Sequence, residues 1–437
     1  MSERSQGLHP LYLRPSGWNA LLPARAPKTS IPAARRFKTV VIGGGYTGLA
    51  VARRLAQLEP SDTVLVAEAG TIGEGASARN SGFLSRLPNR PMAHGQDSAA
   101  QAAHRQLRIY AEGHRWLKEL IAAHGIDCDW DEQAPRISAA ATEEGEASLR
   151  KTSGGYDRLS IPCTRLDRAQ LAGRVGTDYY RFGYSTSSNA FVQPAALIRG
   201  LADSLPGNVD LVERLVVTRI ETGATHEVHT DQGVFECDRV MVANNGFARQ
   251  LGLLRDRLIT IYTYAGLTGK LPDDELRKLG AEPAWGILPA HRLGTTLRKT
   301  RDGRFMVRSG YSYEKELAAD AVTEMLTSRY RNRYPGMKSH RFEYAWGGCT
   351  ALTLNGGLFF GKLADGLYAS VGCNGAGVLR GSIQGRLLAE MACGIDSDLL
   401  SDELKLKGPS WIPPEPIRKI GVLSVLAYER SKAGLEQ

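Results

Sequence analysis

Residues 39–68 constrain the fold more than any other part of the chain. They read as an apolar strand, a turn with the pattern Gly43-x-Gly45-x-x-Gly48, a helix, and a second strand that ends at Glu68, 20 residues after Gly48. The first glycine allows a tight turn, the second lets the backbone approach a pyrophosphate, and the third lets the helix pack closely on the strand. The helix N-terminus offers N–H groups to phosphates, and the acid can accept hydrogen bonds from a ribose. The sequence therefore predicts a dinucleotide site, and this motif does not by itself distinguish FAD from NAD.

Length and composition place the chain among globular proteins. The 437 residues suffice for two domains, and no apolar run approaches the roughly 20 residues that a membrane span requires. Six cysteines are scattered without a CxxC pair, and nine histidines lack metal-ligand spacing, so we expect no metal. This cysteine usage and the absence of a secretory signal favour a cytoplasmic protein.

The net charge of +9 is unevenly distributed. Residues 1–58 hold nine Arg or Lys and one acid, Glu3. A transit peptide and a nucleic-acid-binding arm are both open interpretations. Five prolines between residues 10 and 32 interrupt any long helix. We therefore expect an extended basic arm that lies over the folded domain.

The order of the remaining patterns predicts two domains, one inserted in the other. A helix pattern at 194–205 precedes short strands up to residue 242, longer β patterns follow at 258–268 and 292–313, and a helix pattern covers 314–334. Asp302-Gly303 marks a hairpin turn. The predicted fold is α/β (α+β overall), a Rossmann-like domain with an inserted antiparallel β-sheet substrate domain. The boundaries are an N-terminal arm (1–37), a discontinuous nucleotide-binding domain (38–95, 190–250 and 350–415), a substrate domain (96–189 and 251–349) and a helical tail (416–437).

A second glycine-rich turn separates FAD from NAD. Residues 367–392 read as a strand, a turn containing Gly372, Gly375 and Gly377, and a helix. Such a turn again frees backbone N–H groups at a helix N-terminus. A simple NAD dehydrogenase needs no such site near its C-terminus, whereas FAD must also be held at its ring end. The two turns together favour FAD.

Four motifs resemble the FAD-dependent amine and amino-acid oxidoreductases of the D-amino-acid-oxidase family, in particular the branch with gamma-glutamylputrescine oxidase. They are the first turn with Glu68, the loop Gly75-Ala-Ser-Ala-Arg-Asn-Ser-Gly82, the strand Tyr344-Ala-Trp-Gly-Gly348, and the turn Val371-Gly-Cys-Asn-Gly-Ala-Gly-Val378. The resemblance covers roughly residues 12–428. It does not identify the substrate.

The resemblance implies a set of positions that contact non-covalent FAD. Val217 is expected to reach the adenine end through its backbone, and the two asparagines in residues 242–246 depart from the family pattern, so their contacts stay open. His94 and Cys349 match no covalent attachment signature. The implied cofactor positions are Gly43, Gly45, Tyr46, Thr47, Gly48, Glu68, Ser77, Ala78, Arg79, Asn80, Val217, Gly372, Asn374, Gly375, Gly377 and Val378.

Candidates for substrate positioning lie in the β-rich segments. By resemblance, Arg298 is on a strand that faces the flavin, where it can clamp a carboxylate or else be a surface residue beside a hairpin. Arg308 interrupts an apolar strand and is expected to be edge-exposed or paired with an anion. Tyr262 and Tyr264 alternate onto one face, and Trp285 and Trp346 could join them in an aromatic wall, although aromatic residues are more often core. Tyr264, Arg298, Arg308 and Trp346 are the substrate-positioning candidates.

The resemblance implies hydride transfer from an amine or amino acid to flavin, followed by hydrolysis of the imine. Gamma-glutamylputrescine and a cyclic imino acid are the candidate substrates, and dioxygen or a respiratory acceptor reoxidises the flavin. A role in tRNA modification and a flavin-binding subunit without its own activity are the alternatives; the basic excess lacks interleaved aromatic residues, which argues against nucleic acid. The C-terminal helix is expected to pack on the nucleotide domain, and contact with a membrane surface is the other interpretation.

Overall fold

The computed structural model describes residues 7–87, 99–337 and 340–437. Single helices separate most of the strands up to β7, and runs of three to five consecutive strands follow. The α-helices of these residues are α1 (Gly17–Ala20), α2 (Tyr46–Leu58), α3 (Ala99–Ala123), α4 (Glu143–Arg158), α5 (Arg168–Val175), α6 (Pro194–Asp203), α7 (Asp273–Lys278), α8 (Ala319–Arg333), α9 (Gly377–Ala392), α10 (Asp398–Leu404) and α11 (Ile417–Ala433).

The strands form two large sheets and one small one. In chain order they are β1 (Arg36–Ile42), β2 (Val64–Glu68), β3 (Phe83–Ser85), β4 (Arg136–Ala140), β5 (Thr164–Asp167), β6 (Phe182–Thr186), β7 (Asn189–Phe191), β8 (Val209–Glu213), β9 (Val217–Glu221), β10 (His226–Thr230), β11 (Gly233–Val242), β12 (Ile259–Thr268), β13 (Trp285–Pro289), β14 (Thr296–Lys299), β15 (Phe305–Tyr313), β16 (Phe342–Leu352), β17 (Phe359–Ala364) and β18 (Leu367–Val371).

The first sheet has a parallel centre in the order β18-β11-β1-β2-β8. Alternate residues of β1 enter different cores. Val41 packs with Leu49 of α2 and Ile383 of α9, whereas Val40 packs with Phe235 on the opposite face. A parallel sheet that is covered on both faces and carries the glycine turn after its central strand is the Rossmann-like arrangement that the sequence predicted.

The second sheet has the order β16-β12-β15-β14-β13-β4-β6-β5, and all its pairs are antiparallel except β13 with β4. Val307 on one face packs with Leu326 of α8. Met306 and Trp346 on the other face share a core with Val41 of the first sheet. The predicted antiparallel insertion is therefore present, and one of its faces lies against the nucleotide-type domain.

Local signals explain several element ends. Pro194 occupies the first turn of α6, where its missing N–H costs no helical hydrogen bond. Gly303 has a φ of 84° and forms the turn between β14 and β15, as the Asp302-Gly303 pair predicted. Helix α8 begins at Ala319, five residues after the predicted start, because Glu314 has a φ of 51° and residues 314–318 form an irregular link after β15.

The C-terminal helix does not pack where the sequence predicted. Helix α11 lies on the second sheet: Leu426 contacts Ile261, and the Arg430 guanidinium donates to the carbonyl of Tyr311. Its expected packing on the nucleotide domain was wrong. The reason is that β12 and β15 present the apolar residues that Leu426 covers.

Candidate functional site

The first glycine turn is closed so tightly that it excludes side chains. A Cβ at Gly48 would lie 3.0 Å from the carbonyl carbon of Gly43 and closer still to its oxygen. Gly43 itself has a φ of 101°, and a Cβ there would meet the backbone of Ala243 at 3.2 Å. These positions need glycine for the close approach of β1, α2 and the end of β11.

Helix α2 presents an uncapped N-terminus at this turn. Its N-cap is Gly45, no side chain among the described residues caps it, and its first turn contains no acid. The Tyr46 hydroxyl is buried and donates to the carbonyl of Pro194 at 3.0 Å, so it anchors the helix on α6. The free N–H groups and the helix dipole suit an anion.

Glu68 stands at the carboxyl end of β2, beside the same turn. Its two carboxylate oxygens accept hydrogen bonds from the backbone N–H groups of Gly44 at 2.7 Å and Gly70 at 2.8 Å. Burial raises the pKa of the Glu68 carboxyl, and these two hydrogen bonds oppose the rise. The acid is therefore held at the edge where a ribose of a bound dinucleotide is expected.

A second buried acid, which the sequence analysis missed, neighbours Glu68. Glu213 ends β8 directly opposite Glu68, is fully buried, and pairs with Arg25 at 2.8 Å. It also accepts from the N–H of Ile72. The sequence does show Glu213 as an acid at the end of an apolar strand. It does not show its partner, because Arg25 lies 188 residues earlier in the chain.

The loop of residues 75–82 is held in place by its own side chains. The Arg79 guanidinium donates to the carbonyls of Arg14 and Gly347, and Asn80 accepts from Gly82 N–H and donates to Ser77 O. These contacts fix the loop between the N-terminal segment and β16.

Two other side chains of this loop, Ser77 and Ala78, face inward. The Ser77 hydroxyl lies 3.0 Å from where a Cβ of Gly45 would be. Ala78 is fully buried, and its carbonyl accepts from the hydroxyl of Ser16 at 2.6 Å. The structure thereby places this loop directly against the first glycine turn.

The second glycine turn has the backbone that the sequence suggested. Gly372, Asn374 and Gly375 have φ values of 84°, 51° and 81°. The Asn374 side chain accepts from Thr353 N–H at 2.9 Å and donates to Gly372 O at 2.7 Å, which stabilises its left-handed conformation. Helix α9 then begins at Gly377 without a side-chain cap among the described residues, and Val378 is buried.

Helices α2 and α9 meet through two glycines that the sequence analysis did not single out. A Cβ at Gly381 would lie 2.7 Å from the hydroxyl of Thr47, and a Cβ at Gly385 would lie 2.8 Å from the Cβ of Ala50 and closer to the carbonyl oxygen of Thr47. The signal is the spacing of four from Gly377 to Gly381 to Gly385. This contact brings the two uncapped N-termini to the same side of the first sheet.

The two asparagines whose contacts the sequence left open have different environments. Asn245 Oδ1 accepts from the N–H groups of Gly372 at 2.9 Å and Cys373 at 3.3 Å, so it ties the end of β11 to the second glycine turn. Asn244 lies against Gly43, and its Oδ1 is buried without a hydrogen-bond partner. Val217, expected at the adenine end, is buried at the start of β9 opposite Thr230.

Residues 16–18 of the N-terminal segment enter the core, which the expected arm over the surface did not include, whereas the other described residues up to 36 are exposed or half-buried. Trp18 is 2% exposed, its indole N–H donates to Asn80 O at 2.8 Å, and its ring lies edge-on to Trp346 at 6.4 Å. Gly17 allows this approach, because a Cβ there would lie 2.6 Å from the Trp346 ring. The proline-rich composition of this segment gave no indication that Trp18 is buried.

Arg298 is a buried cation rather than a surface residue beside a hairpin. Its Nη1 donates to the carbonyls of Val192 at 2.7 Å and Ser81 at 3.0 Å, and its guanidinium lies 5.3 Å from the Trp18 ring and 5.1 Å from the Phe191 ring. Burial lowers its pKa to about 10, so it remains charged at neutral pH. Its hydrogen bonds to described residues come from Nη1, and although no acid among them lies within ion-pair distance, the carboxylates of Asp129, Asp131 and Asp302 act on its charge, Asp129 most strongly.

Arg308 shares a sheet face with Arg298, because Arg298 pairs with Met306 and side chains alternate along β15. It is partly exposed, and its Nη1 donates to the Tyr311 hydroxyl at 2.7 Å. Arg308 was expected to be exposed at a sheet edge or paired with an anion. It is instead half-buried and hydrogen-bonded to a neutral tyrosine hydroxyl.

The predicted aromatic wall is wrong. Tyr262, Tyr264 and Trp285 pack in the core with α8, on the face of the sheet opposite to Trp346. The Tyr264 hydroxyl bonds to Ser312 and to Leu317 N–H. Of the aromatic candidates, only Trp346 lies on the Arg298 face, where its indole N–H donates to Arg79 O at 3.3 Å.

Neither residue considered for covalent attachment gains support. Cys349 is buried, and burial raises its pKa to about 12, which suppresses the nucleophilic thiolate. His94 lies outside the described residues. Non-covalent attachment stays a prediction.

Known proteins resemble the chain over most of its length. Residues 38–391 match the model of a family described as FAD dependent oxidoreductase (DAO). The chain is 29% identical to gamma-glutamylputrescine oxidoreductase of Escherichia coli (strain K12), over 81% of this chain and 83% of that protein. It is 26% identical to the probable oxidoreductase OrdL of Rhizobium meliloti (strain 1021), over 90% and 91%. The crystal structure of glycine oxidase from Geobacillus kaustophilus has the same fold, with a TM-score of 0.72, 19% identity, and coverage of 84% of this chain and 96% of that chain.

Proposed function

Because the chain belongs to the DAO family of FAD-dependent oxidoreductases, we propose that it oxidises the C–N bond of a small amine or amino acid that carries a carboxylate. The observation that carries the carboxylate part is Arg298, a buried cation with unshared donors on the face of the second sheet that meets the nucleotide-type domain.

The residues present fit FAD. The closed turn at Gly43 and Gly48 leaves backbone instead of side chains at the surface, and the N-termini of α2 and α9 are both uncapped among the described residues. Asn244 Oδ1, buried beside Gly43 without a partner, can accept from a ligand hydroxyl. When bound, FAD supplies the two-electron chemistry by accepting hydride from the carbon that bears the amine.

We assign the holding roles by position. Gly45, Tyr46 and Thr47 offer backbone N–H groups to the pyrophosphate, Glu68 takes a ribose, and the Val217 backbone takes the adenine. The loop with Ser77, Ala78, Arg79 and Asn80 and the turn with Gly372, Asn374, Gly375, Gly377 and Val378 hold the ring end.

Arg298 is suited to bind a carboxylate. Burial of a guanidinium favours an anionic partner, and the nearby carboxylates of Asp129, Asp131 and Asp302 offset part of that cost without forming an ion pair with Arg298. Guanidinium and carboxylate form two parallel hydrogen bonds, and the Nε and Nη2 edge of Arg298 is the edge that makes no bond to described residues. Trp18 and Phe191 hold the plane of the guanidinium, so little side-chain freedom is lost on binding.

Gamma-glutamylputrescine is one candidate substrate, since it carries both a carboxylate and an amine and since the E. coli relative is named for it. A cyclic imino acid has the same two groups. The side chains act by binding and orienting the substrate, which can supply a large share of catalysis.

The test is anaerobic bleaching of the flavin by a panel of D- and L-amino acids, imino acids, simple amines and polyamine conjugates. We expect bleaching by at least one carboxylate-bearing amine. Admitting air or a soluble quinone afterwards separates an oxidase from a dehydrogenase. If no amine reduces a fully loaded flavoprotein, the proposal is wrong, and a flavin-binding subunit without amine oxidase activity becomes the better description.

Two variants test Arg298. Arg298→Met should raise the dissociation constant of the carboxylate substrate by about 30- to 900-fold, which corresponds to the ~2–4 kcal/mol typical of losing one partner of a buried charge pair. Arg298→Lys keeps the charge but not the bidentate edge, and should lie between Arg298→Met and the wild type. Arg168→Met, at an exposed arginine of α5 outside the candidate set, is the matched control. If Arg298→Met weakens the binding of an amine without a carboxylate by the same factor, Arg298 only supports the loop through its bonds to Ser81 and Val192.

A further inference from the structure

Helix α11 presents a broad apolar face to solvent. Ile417, Ile420, Leu423, Val425 and Tyr428 are each 46–63% exposed. Residues 420–428 contain no charged side chain. Trp411, which is 56% exposed, lies six residues before the start of the helix and adds an exposed aromatic side chain. We call these six residues the α11 face. Single exposed apolar residues are ordinary, whereas a contiguous set on one helix marks an interaction surface.

The helix that carries this face is fixed to the fold. Leu426 packs with Ile261 and Leu293 on the inner side, and Arg418 donates to the carbonyl of Arg255 at 2.6 Å. Arg430 is bonded to the carbonyl of Tyr311. The α11 face is therefore a pre-formed surface that needs no folding step before it binds.

The charges around the α11 face are predominantly positive. Residues 405–432 include six Lys or Arg and two acids. Both acids are paired within the protein: Glu415 with Arg418 at 2.8 Å, and Glu429 with His291 and Arg292 at about 3 Å. Lys419 and Lys432 are exposed at opposite ends of the helix. An apolar helix face with a basic border complements an anionic surface that has an apolar interior.

A second copy of the chain is a poorer partner for this face. If two α11 helices paired antiparallel about Ser424, Lys419 of each would lie near Arg430 of the other. A parallel pairing would place Lys419 near its own counterpart. Either arrangement opposes like charges and offers no acid in return, because both nearby acids are already paired.

We propose that the α11 face binds the surface of an anionic phospholipid bilayer, with the helix lying in the plane of the interface. The apolar side chains enter the boundary between head groups and acyl chains, Trp411 lies at head-group level, and the lysines contact the lipid phosphates. Among the described residues no helix is long and apolar enough to cross a bilayer, so this binding is peripheral. The proposal is independent of the substrate of the enzyme.

Sedimentation of the FAD-loaded full-length protein with phospholipid vesicles tests this proposal. The vesicles contain either phosphatidylcholine alone or phosphatidylcholine with 40 mol% phosphatidylglycerol, a composition chosen for its negative charge. We expect at least about tenfold tighter binding to the anionic vesicles, and weaker binding at about 0.5 M salt because salt screens the lysine contacts.

Variants of exposed residues separate the two contributions. Ile420→Glu should reduce binding to anionic vesicles by about tenfold or more, and Lys419→Glu should reduce it while leaving the weak binding to neutral vesicles unchanged. Val234→Glu is the matched control. Val234 is a 40% exposed apolar residue of β11 in the first sheet, whereas α11 packs on the second sheet. The flavin absorbance of each variant verifies that it is folded.

Two results would overturn the proposal. The first is no binding to anionic vesicles; if the protein is then a dimer in light scattering that Ile420→Glu converts to a monomer, the α11 face belongs to self-association. The second is binding to anionic vesicles that Ile420→Glu leaves intact.

Discussion

The contact of α2 with α9 predicts that replacing glycine with alanine changes the stability of the protein in opposite directions at two helical positions. Gly385→Ala adds a methyl group at the helix contact, whereas Gly154→Ala adds the same group in the middle of α4, where a Cβ would meet nothing within 4 Å. Both glycines lie inside helices. The helix propensity gained on replacing glycine with alanine, about 0.5–1 kcal/mol, is therefore common to both variants.

The structure gives the sign of the difference. At Gly385 the new Cβ would lie 2.8 Å from the Cβ of Ala50, and closer to the carbonyl oxygen of Thr47. Carbon atoms in contact sit about 3.5–4.0 Å apart, so α9 must move from α2 by roughly 0.7 Å or more. Because the Thr47 oxygen belongs to helical backbone, it cannot rotate away. Overpacking of this kind costs about 1–3 kcal/mol, which exceeds the gain in propensity.

We therefore expect Gly154→Ala to raise the urea midpoint of unfolding and Gly385→Ala to lower it. The movement also separates the N-termini of α2 and α9. Each helix end contributes about 0.3–1 kcal/mol to a nearby negative group, so the Kd for FAD, measured by fluorescence titration, should rise by about 3- to 30-fold in Gly385→Ala alone. Stabilisation by both variants, or an unchanged FAD affinity in Gly385→Ala, would refute the view that close helix packing positions these two ends.

Three further predictions concern buried polar groups. Asn245→Ala leaves the N–H of Gly372 without its acceptor, so it should cost about 1–3 kcal/mol of stability, measured by urea unfolding, and accelerate FAD loss. Arg25→Met leaves the buried Glu213 carboxylate without its cation, and a loss of about 2–5 kcal/mol in the same assay is expected; an unchanged midpoint would mean that backbone donors alone suffice. His114 has its pKa lowered to about 4 by burial, so the unfolded chain binds a proton at higher pH than the folded one, and stability should fall as the pH falls from about 6.5 to 4. His114→Gln should show a smaller fall in thermal melts over that range.

Local sequence was enough to predict the nucleotide-type domain. The turn at Gly43 and Gly48 and the turn at Gly372 and Gly375 each depend on residues a few positions apart, and a close approach or a positive φ leaves glycine as the residue that fits. The distance of 20 residues from Gly48 to Glu68 follows from one helix and one strand. Such features are short-range, so a single sequence reveals them.

The candidate substrate face could not be predicted in the same way. Strand alternation predicts which residues of one strand share a face of the sheet with Tyr264 or with Trp346. It does not predict which of the two faces packs against the other domain. The structure places Tyr264 toward α8 and Trp346 toward Trp18. Arg298 likewise gains its environment from Trp18, Ser81 and Val192, three segments far apart in the chain.

The sequence alone thus predicts that this protein binds a dinucleotide cofactor. Glycine turns and helix N-termini bind through backbone N–H groups, and residues close in the chain set the conformation of that backbone. The buried state of Arg298 and the exposed face of α11 depend instead on which distant surfaces pack together. Burial is a property of the assembled chain: the same apolar helix would be hidden on one sheet and exposed on another, and the same arginine would be solvated in an isolated hairpin. For that reason the cofactor could be inferred from residues 39–68 and 367–392, whereas the sequence named Arg298 and the C-terminal helix only as candidates, and the folded arrangement decided that one is buried and the other exposed.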